Sequence, residues 1–272
     1  MNGSRSAGLV LRCTVAGILA GTVPCSAGSP DSIDFAHISL EEGLSQSIIE
    51  QITQDRMGFM WFATEDGLNR FDGYRFTLHK NVPGDPESLS YNELKALCED
   101  REGNLWIGIF SSGLNRFDPK TEKVVRYQHD VAQPDSLGAD TVRSILEDSS
   151  GRLWVGTEGG GLDLFDRDNG TFVHHRADPD ASGAISHDDV RAIFQDRDGV
   201  LWIGTNGGGL NRFDADRGLF TAYRHSAEDP DSLSDDRVFA IHEDHTGILW
   251  VGTYGGGLDA FDRTTGRFTH HA

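Results

Sequence analysis

Apolar and polar residues alternate along this chain in short runs, and turn-forming residues separate the runs. The stretch from Thr141 to Arg176 shows the pattern clearly. "TVRSILED" (Thr141–Asp148) alternates and is rich in β-branched and aliphatic residues, which predicts a strand. "SSG" then reads as a turn, "RLWVGT" as a second strand, "EGGG" as a break and "LDLFD" as a third strand. "RDNG" turns again, "TFVHHR" is a fourth strand, and "ADPDASGAIS" carries the chain onward. Helical periodicity is absent, so the unit predicts one four-stranded antiparallel sheet.

The unit recurs. Its centre appears as "QDRMGFMWFATEDGLNRFD", "EDREGNLWIGIFSSGLNRFD", "EDSSGRLWVGTEGGGLDLFD", "QDRDGVLWIGTNGGGLNRFD" and "EDHTGILWVGTYGGGLDAFD". All five tryptophans lie in these copies: Trp61, Trp106, Trp154, Trp202 and Trp250, 45 residues apart once and 48 thereafter. Four strands repeated at that period predict an all-β propeller, in which sheets stack as blades around an axis. A single blade cannot bury both its faces, whereas its neighbours can cover them. A buried tryptophan hides roughly 200 Å², on the order of 5 kcal/mol of transfer energy, so one per blade makes an inter-blade wedge. Phe71, Phe117, Phe165, Phe213 and Phe261 recur in the third strand and are expected to face the same gap.

The remaining repeated residues read as scaffold. In D-x-x-G-x-x-W, as at Asp148, Gly151 and Trp154, the Asp can bond the backbone of its own turn and the Gly can take positive φ. The glycine run precedes a strand rather than a helix and no Lys follows it, which argues against a phosphate loop. Asp166-x-Asp168-x-Gly170 and Asp214-x-Asp216-x-Gly218 resemble the start of a calcium loop, but no glutamate completes it, and hairpin turns explain them better.

The full motif, D-x-x-G-x-[LI]-W-[IV]-G-T-x-G-G-G-L-x-x-F-D, resembles the two-component regulator propeller repeat. The stretch from Phe35 to Phe76 is similar to the usual opening of that family's sensor domains. The resemblance implies an extracytoplasmic, ligand-sensing role in a two-component system, without catalysis or cofactor, and an oligosaccharide as the class of ligand. Partners would be that ligand and a membrane-bound kinase. Sensors of this family continue through more blades, an immunoglobulin-like domain, a membrane helix and an output domain; here neither a hydrophobic segment after the first residues nor a kinase motif is seen.

Counting strands adds an expectation about closure. Outer strands align at Phe35, Phe76, Val124, Phe172, Phe220 and Phe268, six for five sets of inner strands. The reading is a propeller domain over residues 28–272 with five blades (about 44–90, 91–138, 139–186, 187–234 and 235–272) and an extra outer strand at 34–39. It predicts an incomplete part of a larger, seven-bladed ring, with missing blades as a further partner and exposed flanks prone to self-association; the alternative is a genuine five-bladed ring with the spare strand packed outside.

Charge and cysteine usage narrow the partners. The net charge is −19, from 43 acidic and 24 basic residues, which argues against nucleic acid or an anionic membrane surface. Arg5 and Arg12 precede the apolar run "CTVAGILAGTV", and Cys25 and Ala27 give a small-x-small exit, so residues 1–27 read as a signal peptide, too short to span a membrane. Two of the three cysteines fall in that leader. Cys98, whose repeat equivalents are Leu146 and Phe194, reads as a small buried hydrophobe.

A ligand is expected where the repeats differ. The position after the G-T step holds Glu65, Phe110, Glu158, Asn206 and Tyr254, and the start of the first strand holds Ser47, Glu93, Thr141, Asp189 and Arg237. Both sets lie on the loop face that converges on the central opening. Of these, Glu65, Phe110, Glu158, Asn206, Tyr254, Asp189 and Arg237 form the predicted site: acids and amides for hydroxyls, aromatic faces for stacking. No metal is expected, since His79, His175 and His271 share their slot with Tyr127 and Tyr223 and so read as surface-sheet positions. The rival reading is an enzyme resembling streptogramin lyase, for which His187 would be the base; a protein-interaction scaffold is the third.

Overall fold

A computed structural model describes residues 39–271. The predicted leader and nearly all of the predicted N-terminal outer strand lie outside these residues. The described residues form five four-stranded antiparallel sheets, each with its strands in chain order. Sheets 1 to 5 span residues 49–79, 94–127, 142–175, 190–223 and 238–271. In sheet 3 the strands are Val142–Glu147, Leu153–Thr157, Gly161–Asp166 and Thr171–His175, each within a residue of its predicted bounds. The second strand is buried on both faces, unlike the half-buried strand that alternation implies, because a neighbouring sheet covers each side.

Four apolar clusters fill the four junctions between successive sheets. At each, the tryptophan of one sheet meets the edge of the third-strand phenylalanine of the next: Trp61 with Phe117, Trp106 with Phe165, Trp154 with Phe213 and Trp202 with Phe261. Their ring centroids are 5.7, 5.0, 5.3 and 5.5 Å apart. The expected wedge is therefore a two-sheet contact, with edge-to-face geometry that adds to area burial. Phe71 differs, since no sheet precedes its own among the described residues; it packs on Phe76 at 4.8 Å.

The outer-strand His/Tyr slot is not a surface position. His79 and His175 lie against Trp61 and Trp154 at 5.9 and 5.8 Å, and Tyr127 and Tyr223 against Trp106 and Trp202. Burial holds both imidazoles below the ordinary histidine range. The slot closes the junction over the indole, which any flat ring can do. Only in sheet 5, which no further sheet follows among the described residues, is it exposed, at His271.

The turn before each second strand is built by the predicted aspartate, which also does something unforeseen. Asp148 Oδ1 accepts the N–H groups of Ser150 and Arg152, while Oδ2 accepts the Trp154 indole N–H at 3.0 Å. The same aspartate–indole bond recurs at Trp61, Trp106, Trp202 and Trp250, at 2.7 to 2.9 Å. Gly151 takes φ +86 to close the turn. Burial would raise the Asp100 and Asp148 carboxyls, but the bonds from Trp106 and Trp154 and from their own turns outweigh it and hold them below the usual range. Cys98 packs in the junction of sheets 2 and 3, where burial pushes its thiol up to about 11. The aspartates of the supposed calcium loops serve their turns: Asp166 accepts the Asp168 N–H and the Asn169 side-chain amide.

Candidate ligand-binding rim

The opposite end of each sheet is where the repeats diverge. The crossover from one sheet to the next is pinned there by a buried third-strand Asn or Asp. Asn69, Asn115, Asp163, Asn211 and Asp259 accept the backbone N–H of Ser45, Ser90, Gly138, Ser186 and Ser234, at 2.7 to 3.0 Å. The glycine run lets the same loop approach: a Cβ on Gly160 would lie 2.4 Å from the Gly138 carbonyl carbon.

This fixes the two predicted sets side by side. Phe110, Glu158, Asn206 and Tyr254 donate their N–H groups to the carbonyls of Glu93, Thr141, Asp189 and Arg237. In sheet 1 the equivalence needs correction. Pairing runs Ile49 to Thr64, as it runs Leu94 to Ile109 in sheet 2, so Ile48 rather than Ser47 is the equivalent of Glu93, just before the first strand; the 45-residue spacing of the first interval hides this.

Sequence reasoning missed the residues at the centre of the rim. In every sheet the register of first and second strands slips by one residue, and the skipped residues are Glu50, Lys95, Arg143, Arg191 and Phe239. A bulge frees its extra residue from both flanks of the sheet and re-aims it. The signal was available in the sequence, since these positions also lie 45 and then 48 residues apart and also vary; alternation alone cannot reveal a bulge.

The bulge residues tie the predicted ones into a chain of contacts. Lys95 Nζ lies 2.6, 3.0 and 3.4 Å from Glu50, Glu93 and Glu65. Burial would depress this ammonium, but the bonds to Glu50 and Glu93 hold it above its ordinary value. Arg143 binds Glu158 at 2.8 Å and covers the Phe110 ring at 5.7 Å. Arg191 binds Asp189 at 2.6 Å, approaches Glu158 at 3.5 Å and stacks over Phe239 at 5.5 Å. Asn206 donates to Asp189 at 2.8 Å. Phe239 meets Tyr254, 5.6 Å between centroids, and Arg237 lies over Tyr254 at 4.7 Å. All seven predicted residues thus fall on the rim, but in two stretches: Glu65 with Lys95, and the other six from Phe110 to Arg237.

Two features mark the second stretch. Asp189 Oδ1 and Arg191 Nε are buried without a hydrogen-bond partner in the protein, a state that costs about 1–3 kcal/mol per group. Beside Phe110, Ser111 takes φ +54 where sheets 3 and 4 have Gly159 and Gly207, strain on the order of 1 kcal/mol or more. His187, the base of the rival reading, accepts the Asp189 N–H at Nδ1. No group of side chains that could hold a metal ion is found among the described residues.

Comparison with known proteins now bears on this scaffold. The two component regulator propeller family matches residues 88–111, 136–159, 184–207 and 232–255. Four of the five repeats thus match the two-component regulator propeller repeat. The matched windows run from crossover to rim, and the first sheet, with Phe62-Ala63 in place of the Ile/Val-Gly pair, is outside them. The chain is similar to the extracellular domain of a hybrid two-component system from B. thetaiotaomicron. The likeness is 30% identity and TM-score 0.75 over 86% of this chain and 31% of that one. A histidine kinase of Formosa agariphila is 49% identical over 49 residues, 18% of this chain and 4% of its own. The chain therefore spans about a third of the length of that sensor domain and a small part of the kinase. Virginiamycin B lyase from Staphylococcus aureus, solved with quinupristin, shares the fold at 15% identity and TM-score 0.63, covering 84% of this chain and 71% of that one.

Proposed function

We propose that the chain is the extracytoplasmic, non-catalytic, ligand-binding part of a two-component sensor, and that the rim from Phe110 to Arg237 receives an oligosaccharide. The observation that carries this reading is the bulge. In every sheet it delivers to the rim a side chain that the scaffold does not use, and around Arg191 it leaves a buried donor and a buried acceptor unpaired. A sugar hydroxyl both donates and accepts, so one could satisfy both atoms, while Phe110, Phe239 and Tyr254 offer half-exposed to exposed ring faces. The similarity to an extracellular sensor domain supports the sensor role and the location; the predicted leader is consistent with it. The arc is read as part of a larger ring whose output domain lies in a kinase.

A thermal-shift screen of the full chain against oligosaccharides tests the proposal, because a ligand that binds only the folded state raises its melting temperature. The expected result is a concentration-dependent shift that Tyr254→Ala, Phe110→Ala and Asp189→Asn reduce with unchanged folding. Unaltered affinity in all three would remove the rim assignment. Turnover of a lactone substrate abolished by His187→Ala would favour the lyase-like reading instead.

A further inference from the structure

At the turn end of each junction, opposite the rim, an arginine neutralises the aspartate that holds the indole, except in one place. Between sheets 2 and 3, Arg167 bridges two carboxylates: Nη1 lies 3.2 Å from Asp100 and Nη2 lies 2.7 Å from Glu147. Between sheets 4 and 5, Arg263 bridges Asp196 and Glu243 in the same way, at 2.6 and 2.8 Å. Between sheets 3 and 4 the arginine position holds Ala215, and the glutamate position holds Gln195. The one carboxylate left there, Asp148, is met at 2.7 Å by Arg152 of its own turn. Loss of the bridging arginine is thus matched by loss of one carboxylate and a local replacement.

The junction of sheets 1 and 2 lacks the arginine and keeps both carboxylates. Pro119 stands where Arg167 and Arg263 stand, and Phe59 stands where Arg152 stands. Asp55 is 8% exposed, and its Oδ2 accepts only the Trp61 indole N–H. Glu99 pairs with Arg56 at 2.8 Å. That pair is the counterpart of Arg101 with Glu147 and of Arg197 with Glu243, which accompany the bridging arginines rather than replace them. A cavity of about 360 Å³ opens between Asp55 and Glu99, walled by Met57, Phe59, Trp61 and Pro119. Arg70 stacks over Phe59 and Trp61 at 5.2 and 5.7 Å and pairs with neither carboxylate. Ahead of the described residues the only arginines are Arg5 and Arg12, both in the predicted leader, and no Lys is present there.

The geometry points to a second binding site: this cavity takes a ligand that carries a guanidinium group. The group spans Asp55 and Glu99 as Arg167 spans Asp100 and Glu147, and the rest of the ligand lies against Met57, Phe59 and Pro119. A guanidinium suits the place better than an ammonium, because its planar fork serves two carboxylates at once and it is more weakly hydrated. The two sources of such a group are a small guanidino compound and the arginine side chain of a polypeptide. The site lies at the end of the sheets opposite the rim and does not depend on what the rim binds.

Titration calorimetry of the full chain with butylguanidine, butylamine and the peptide acetyl-Gly-Arg-Gly-amide tests it. Butylguanidine should bind, and butylamine should bind about tenfold more weakly or not at all, since it forfeits a charge-assisted hydrogen bond. Glu99→Gln should weaken butylguanidine by about tenfold for the same reason. Pro119→Arg supplies the missing group from within the chain and should abolish binding, with an unchanged circular dichroism spectrum. This variant keeps the test decisive even if Glu99→Gln disturbs the fold. Tighter binding of the peptide than of butylguanidine assigns the site to an arginine of a polypeptide, and the reverse assigns it to a small compound. Failure of both to bind at millimolar concentration, equal binding of butylamine, or full binding by Pro119→Arg would each overturn the inference.

Discussion

The two ends of each sheet are made on opposite principles. At the turn before the second strand, all five repeats keep one aspartate, one glycine and one tryptophan, and the aspartate–indole bond varies only from 2.7 to 3.0 Å. At the rim, the bulge holds Glu, Lys, Arg, Arg and Phe in turn. Constancy at one end stacks the blades; variation at the other is tolerated because a bulged side chain belongs to neither flank. Stability should therefore respond to the first end and recognition to the second.

That contrast can be broken at the tryptophan first. Trp154→Ala empties a fully buried junction and should cost about 3–5 kcal/mol in a urea titration. Trp250→Ala, on the open flank, should cost less than half as much; equal losses would mean that the flank is covered in solution. Next in size, Asp148→Ala strands the Trp154 indole and two turn N–H groups and should cost about 2–3 kcal/mol, with the Trp154 fluorescence altered. Acid sharpens the same point. The Asp100 and Asp148 carboxyls titrate below their unfolded value of about 3.9, so their stabilisation is complete above that pH and is lost as pH falls through the folded value. A melting series from pH 6 to pH 2 should drop in that acid range, and less steeply for Asp148→Ala. Smallest of all, Tyr254→Ala should move stability by no more than about 0.5 kcal/mol while weakening ligand binding; a large loss of stability would place Tyr254 in the scaffold.

Much of the fold was legible because the repeat supplies five independent readings of one pattern. Strand bounds in sheet 3 came within a residue, and the wedge role of Trp154 and Phe213 followed from their spacing. The His/Tyr slot was misread because alternation says which residues share a face, not that the next sheet lies against it. On the rim, Glu158, Asp189 and Asn206 could be picked out by asking where the repeats differ. Arg143 and Arg191 were overlooked because they sit inside a strand whose apolar pattern is complete without them.

The chain's own order of residues determined that four strands form a sheet, that each sheet carries one indole, and that sheets stack. Those properties depend on neighbours close in sequence and on a period that any copy displays. Which side chains leave the stack for the rim, and which close over a neighbouring indole, was decided only in three dimensions. A one-residue slip between strands and the way each sheet covers its neighbour are relations between elements, and no single segment encodes them.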